Sequence, residues 1–164
     1  MEAGKIVTYG NEILRKRSEE VEEFNNEIKD LIEEMYVTLA ESHGVGLAGP
    51  QVGVSKRVFV YDVGEGHHAL VNPVMLSSSG EEWGFEGCLS IPGLQGEVPR
   101  ATRVVVIGIN EEGKKVKVKA TGLLARCFQH EMDHLDGTVF IDRADPDTLE
   151  MVPISEEGEE EGES

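Results

Sequence analysis

The chain has 164 residues, of which 39% are hydrophobic and 29% charged, the proportions of one globular domain with a real core. Its formal net charge is −17, from 32 acids against 15 bases, and removing the six glutamates of residues 156–164 still leaves −11. So acidic a body excludes a generic electrostatic grip on nucleic acid or anionic lipid, and no apolar run approaches the length of a membrane span.

The first ten residues carry no apolar signal core and no Arg-rich amphipathic character, so the expected setting is cytoplasmic. Two cysteines, Cys88 and Cys127, in such a chain point to a metal or thiol role for at least one rather than a disulfide. Residues 11–17 read as a short helix capped by Asn11. Phe24, Ile28, Leu31, Ile32, Met35 and Leu39 recur every three to four residues, which predicts an amphipathic helix over about 25–42. Gly44-Val-Gly-Leu-Ala-Gly-Pro-Gln51 ends it. Strands are expected over 57–62 and 69–76, then a loop over 77–87 leading to Cys88-Leu-Ser-Ile-Pro92. A hairpin of 103–109 and 114–120 follows, joined by Asn110-Glu-Glu-Gly113. The second main helix covers about 121–135 and stops at Gly137; 138–141 reads as a last short strand. Asp145-Pro-Asp-Thr148 resembles a helix start, after which the chain turns into Glu and Gly and is expected to be disordered. The fold class is α+β, with short antiparallel sheets packed around the central helix and an N-terminal amphipathic helix beside them. The expected organisation is one catalytic domain over 1–145 and a C-terminal extension over 146–164.

The second helix carries the chemistry. It contains His130-Glu131-Met-Asp-His134, and two histidines four apart on one helix face can share a metal ion. Glu131, beside the first, can take a proton from water activated there. Two of five histidines can reach this spacing by chance on a surface helix, but this helix is mostly apolar and its glutamate is correctly placed. A hydrolytic metal takes a third protein ligand. The extended protease plan would put a histidine where this chain has Phe140. The plan with a glutamate on a later helix has too little chain after Ile141. The third ligand is therefore expected upstream. His43, His67 and His68 are candidates, the last two in a polar loop. Cys88, in Glu86-Gly-Cys-Leu-Ser90, reads as a rigid turn at a strand, and a thiolate with two imidazoles suits zinc or ferrous iron. Cys127 stacks with both histidines along one helix and cannot readily surround an ion with them, so Cys88 is preferred and Cys127 reads as pocket wall.

Gly44, Gly46 and Gly49 also satisfy G-x-G-x-x-G. A helix rather than a strand precedes them, and Pro50 biases Gly49 away from helical backbone, which argues against a dinucleotide site. The better reading is a loop that lets a substrate backbone approach closely, with the Gln51 amide at its end.

Gly44-Val-Gly-Leu-Ala-Gly-Pro-Gln51, Glu86-Gly-Cys-Leu-Ser90 and Gln129-His-Glu-Met-Asp-His134, in that order, resemble the three motifs of the peptide deformylases over roughly residues 5–142. The resemblance implies a metal-dependent hydrolase that removes the formyl group from the N-terminal formyl-methionine of newly made proteins and releases formate. It implies ligation by Cys88, His130 and His134, with ferrous iron the usual ion and zinc, nickel or cobalt as substitutes. On the same resemblance Glu131 moves the proton, and the Gln51 amide and the Leu89 backbone N–H hold the oxyanion. Val45, Gly46, Glu86 and Cys127 belong to the substrate site, with Glu86 and Arg100 also able to brace the cysteine turn. Its partners are formyl-methionine N-termini of nascent chains, without direct nucleic-acid binding and without a membrane. Gly49 stands where the first motif usually has alanine, with some loss of loop rigidity expected. Gln95 stands where some members carry an arginine near the mouth of the peptide site. Some members dock at the ribosome through a longer C-terminal helix; here the chain turns acidic, which repels RNA, so that mode is not expected and a transient ribosome contact is what the resemblance leaves open.

Overall fold

A computed structural model describes residues 5–152. In chain order it contains α1 (Asn26–Ser42), β1 (Gly46–Ala48), β2 (Val58–Tyr61), β3 (His68–Ser79), β4 (Glu82–Cys88), β5 (Ile91–Arg100), β6 (Arg103–Asn110), β7 (Lys115–Thr121), α2 (Gly122–Leu135) and β8 (Glu150–Met151). One sheet has the order β1-β2-β3-β6-β7 and the other the order β4-β5-β8. Every pairing between these strands is antiparallel. The α+β class stands.

Side-chain alternation along the central strands builds two cores, one on each face of the five-stranded sheet. Phe59 and Tyr61 on β2, with Leu70 on β3, pack with Phe128 and Leu135 of α2. The intervening Val58, Val60, Ala69 and Val71 face the other way and pack with Ile28, Ile32, Met35 and Leu39 of α1. A strand buried on both faces has no polar side to show, which is why Val58–Tyr61 reads as an unbroken apolar run. The stripe on α1 thus has its sheet, and Asn25 caps the helix by accepting a hydrogen bond from the Ile28 N–H.

The second sheet departs most from expectation. Residues 82–88 are not loop but β4, paired with β5 in the register Glu86↔Gly96 and Gly87↔Gln95, with a bulge just before Cys88. The hairpin is poor in apolar alternation because glycines and prolines interrupt both arms, so the strand pattern is hidden. Three shorter segments also differ. The N-terminal helix is a single 3-10 turn, Glu12–Arg15, with Asn11 accepting from the Ile13 N–H. Residues 138–141 form no strand; Phe140–Asp142 make a 3-10 turn, and Phe140 is buried with Cys88 and Val98 in a third small core. Pro146–Thr148 make another 3-10 turn, capped by Asp145, after which β8 adds to β5 through Leu94↔Met151 and Gln95↔Glu150. The acidic tail expected to be disordered lies outside the described residues. Among the described residues no helix is long and apolar enough to cross a membrane.

This arrangement positions the site. α2 presents its histidines toward β4, whose last residue is Cys88, while β1 and the 3-10 turn Gly49–Val52 lead past the same face.

Candidate metal centre

Cys88, His130 and His134 each offer a donor atom within 4.8 Å of the other two, and all three residues are buried. Cys88 Sγ lies 3.3 Å from His134 Nε2, close to the ~3.5 Å separating thiolate sulfur and imidazole nitrogen on a tetrahedral ion. His130 Nδ1 is hydrogen-bonded to Glu86 Oε1 at 2.8 Å, which leaves Nε2 facing the cluster. That Nε2, together with Glu131 Oε1 and His134 Nδ1, is buried without a hydrogen-bond partner. Buried polar atoms left this way cost about 1–3 kcal/mol each, so the bare His130 Nε2 among the clustered donors marks a place built to receive a ligand. The donor set fits a divalent transition ion.

Glu131 follows His130 on α2, and burial pushes its carboxyl up to about 7, against the lowering influence of His130. A carboxyl poised there can both accept and return a proton near neutral pH. Glycine is required opposite it. A Cβ on Gly46 would lie 2.6 Å from Glu131 Oε2 and 2.8 Å from Cys127 Sγ, so β1 reaches the helix only because this side chain is missing. Cys127 Sγ donates to the Val45 carbonyl at 3.6 Å, and burial pushes its thiol pKa well above the ordinary range. A buried thiol held protonated in this way is a poor nucleophile.

Gln51 is 1% exposed and held at both ends. Its Oε1 accepts from the Ala48 N–H at 2.9 Å, while Nε2 donates to Ser90 Oγ at 3.2 Å and lies 3.6 Å from Cys88 Sγ. The amide therefore points at the cysteine turn with its donor group. Leu89 packs its side chain over Gly44, where a Cβ would lie 2.9 Å from Leu89 Cδ1. Gly49 does not loosen the loop as expected: a Cβ there would meet the Lys56 and Val54 carbonyl oxygens at 2.8 Å, so the turn is folded tightly around a glycine.

Glu86 is the residue whose place differs most from a substrate contact. Its carboxylate accepts from Arg100 Nε and Nη2 at 2.8 and 2.9 Å, from Arg126 Nη1 at 2.7 Å, and pairs with His130 Nδ1. Burial works against its ionisation, but the hydrogen bonds from Arg100 and His130 hold its pKa well below the usual carboxylate range. Arg100 also reaches Asp133 Oδ2 at 2.6 Å, and Asp133 takes Arg143 on its outer side. A carboxylate behind a ligating imidazole fixes its tautomer and orientation. The bracing pair of Glu86 and Arg100 is thus present, and it acts on a histidine as well as on the turn.

A family model described as polypeptide deformylase matches residues 3–150. The chain belongs to that family. It is 52% identical over 140 residues to a peptide deformylase of Pelotomaculum thermopropionicum, covering 85% of this chain and 90% of that one. A peptide deformylase of Desulfitobacterium hafniense is 50% identical over 140 residues, covering 85% and 93%. Among solved structures, the peptide deformylase of Thermotoga maritima superposes with a TM-score of 0.85 at 43% identity, covering 88% of this chain and 99% of that one. That of Thermus thermophilus gives 0.84 at 44% identity, covering 88% and 87%. The activity of the family is removal of the N-terminal formyl group from nascent peptides, and it depends on a metal.

Of the candidates upstream of α2, Cys88 is the one brought to the two histidines. His67 instead pairs with Asp62, and His68, the first residue of β3, with Glu111 in the turn between β6 and β7. Sequence reasoning did not find Arg126, Ser90 or Asp133. Arg126 carries a legible signal, a cation four residues before His130 on the same face of α2.

Proposed function

We propose that this deformylase works at a centre held by Cys88, His130 and His134, with ferrous iron as the resident ion and zinc, nickel or cobalt as substitutes. What supports the reading most directly is the gathering of three buried donors, Cys88, His130 and His134, with the buried and unpartnered Glu131 Oε1 on the residue next to His130. An ion held there supplies positive charge that acidifies water and polarises the formyl oxygen.

The chain's own residues do the rest. Glu131 takes a proton from the attacking water and returns it to the departing amine as the formyl C–N bond breaks, leaving formate and a free N-terminus. Its carboxyl, held near neutrality by burial, suits both halves of that transfer. Gln51 Nε2 and the Leu89 backbone N–H stabilise the developing oxyanion as preorganised donors. Gly46 and Val45 let the peptide backbone pass close to α2, and Cys127 walls the methionine pocket. Glu86 acts through His130, since its carboxylate has no lone pair left for a peptide N–H.

The substrate is the formyl-methionine end of a nascent polypeptide in the cytoplasm, met in a transient ribosome contact. The acidic body, at −17 overall, makes direct binding to RNA unfavourable. Replacing Glu131 with Gln tests the central role: metal content stays at the wild-type level while formate release falls at least about 100-fold. Near-normal turnover in Glu131→Gln would overturn the assignment.

A further inference from the structure

We propose that Arg126 is a positioning residue for the metal centre, setting Glu86 against His130 and fixing α2 relative to the hairpin that ends on Cys88. The inference rests on Cys88, His130 and His134 being the ligands. Arg126 stands four residues before His130, so the two side chains share one face of α2. Its Nη1 donates to Glu86 Oε2 at 2.7 Å and to the Val98 carbonyl on β5 at 3.0 Å, and its Nη2 donates to the Glu82 carbonyl on β4 at 2.8 Å. One guanidinium therefore ties the helix bearing two ligands to both strands of the hairpin bearing the third.

Arg100 overlaps with this only in part, since its own tie to α2 runs through Asp133. It comes from β5 and holds Glu86 from the sheet side, whereas Arg126 holds the same carboxylate from the helix. Glu86 is thereby fixed in both frames, and the imidazole it orients inherits that placement. The neighbouring strand is shaped for the contact. A Cβ on Gly84 would lie 3.1 Å from Arg126 Nη2 and 3.2 Å from Cζ. Gly84 is not among the glycines with positive φ, so what the strand needs there is the missing side chain rather than the backbone freedom. A lysine could bring its charge near Glu86, but one ammonium cannot reproduce the planar fork that spans the carboxylate and two carbonyls.

A purely structural strap makes a different prediction from a positioning one, and cobalt(II) separates them. Wild type, Arg126→Met and Arg126→Lys are loaded anaerobically with cobalt(II); affinity is measured by chelator competition, the visible and thiolate charge-transfer absorption is recorded, and Tm is taken alongside. Arg126→Met is expected to bind cobalt(II) about 10- to 100-fold more weakly, with shifted bands. Arg126→Lys is expected to recover part of the affinity and not the spectrum. If Arg126→Met binds within about twofold of wild type with unchanged bands, Arg126 is only a strap, whatever its Tm, and the proposal falls. Should Arg126→Met not fold, the lysine variant decides alone: wild-type affinity and bands in it overturn the proposal. Absence of thiolate absorption in the wild type itself would instead refute Cys88 as a ligand.

Discussion

Gly46 has no room for a side chain, because Glu131 Oε2 and Cys127 Sγ would both fall within 2.8 Å of its Cβ. Two of the motif residues are thus matched to each other across β1 and α2. Gly46→Ala must displace either the strand or the carboxyl, and a misplacement of about 1 Å in a reacting group costs roughly 100-fold. Formate release at that reduced level, with metal content retained, is the expected outcome; unchanged turnover would mean that Glu131 does not need its observed position. The local part of this site was legible from the chain. His130, Glu131 and His134 are neighbours on one helix, so their spacing alone defines their common face. The brace between Glu86 and Arg100 could be anticipated from their charges, but the hold of Glu86 on His130 could not, because it depends on side chains of another element. The distance between motifs along the chain carries no record of which side chain turns inward.

At the scale of elements, α1, the β6–β7 hairpin and α2 were readable because each has one face against the core and a period to show it. The β4–β5 hairpin was not. Its inner face is filled partly by Glu86 and Arg100, charged residues that burial pays for with pairing, and a polar residue facing inward cancels the alternation a strand is recognised by. The segment after α2 was misread as a strand for a related reason. Val139 and Phe140 are buried, yet Phe140–Asp142 turn back so that Asp142 can meet Arg15, with contacts of 2.6 and 3.1 Å. This pair joins the N-terminal turn to the C-terminal one. The Arg15 hydrogen bonds hold the Asp142 pKa below its ordinary value, with burial opposing them. The sign follows: a carboxyl whose pKa is depressed by folding contributes stability above its unfolded pKa, near 3.9, and loses it as pH falls through the folded value. Asp142→Asn should therefore lower stability at pH 7, by no more than about 1 kcal/mol for so exposed a pair. Thermal melts should show the two proteins converging as pH falls through the depressed folded pKa of Asp142. A gap of constant size from pH 7 to the acid limit would contradict the pairing.

Across the whole molecule, two cores flank one sheet, and the metal centre lies where α2, β1 and the second sheet meet. Three stretches far apart in the chain converge there because α2 is packed on the sheet that begins with β1 and held to the hairpin by Arg126 and Glu86. The centre inherits a liability from its donors. Ferrous iron bound by a thiolate is open to oxidation at both atoms. Iron-loaded protein is expected to lose deformylation in air while nickel-loaded protein keeps it, and iron-loaded protein that survives air unchanged would contradict a thiolate-bound ferrous centre open to oxygen. The central claim is that formyl removal occurs at Cys88, His130 and His134, and the most direct measurement follows formate and metal together on one anaerobic sample. With formyl-Met-Ala-Ser as substrate, formate and free amine should appear in equal amounts without cleavage of the peptide. Activity should fall in proportion as a chelator removes the ion, and return when the ion is restored. Formate release that persists after the metal is gone, or cutting of internal peptide bonds, would contradict it.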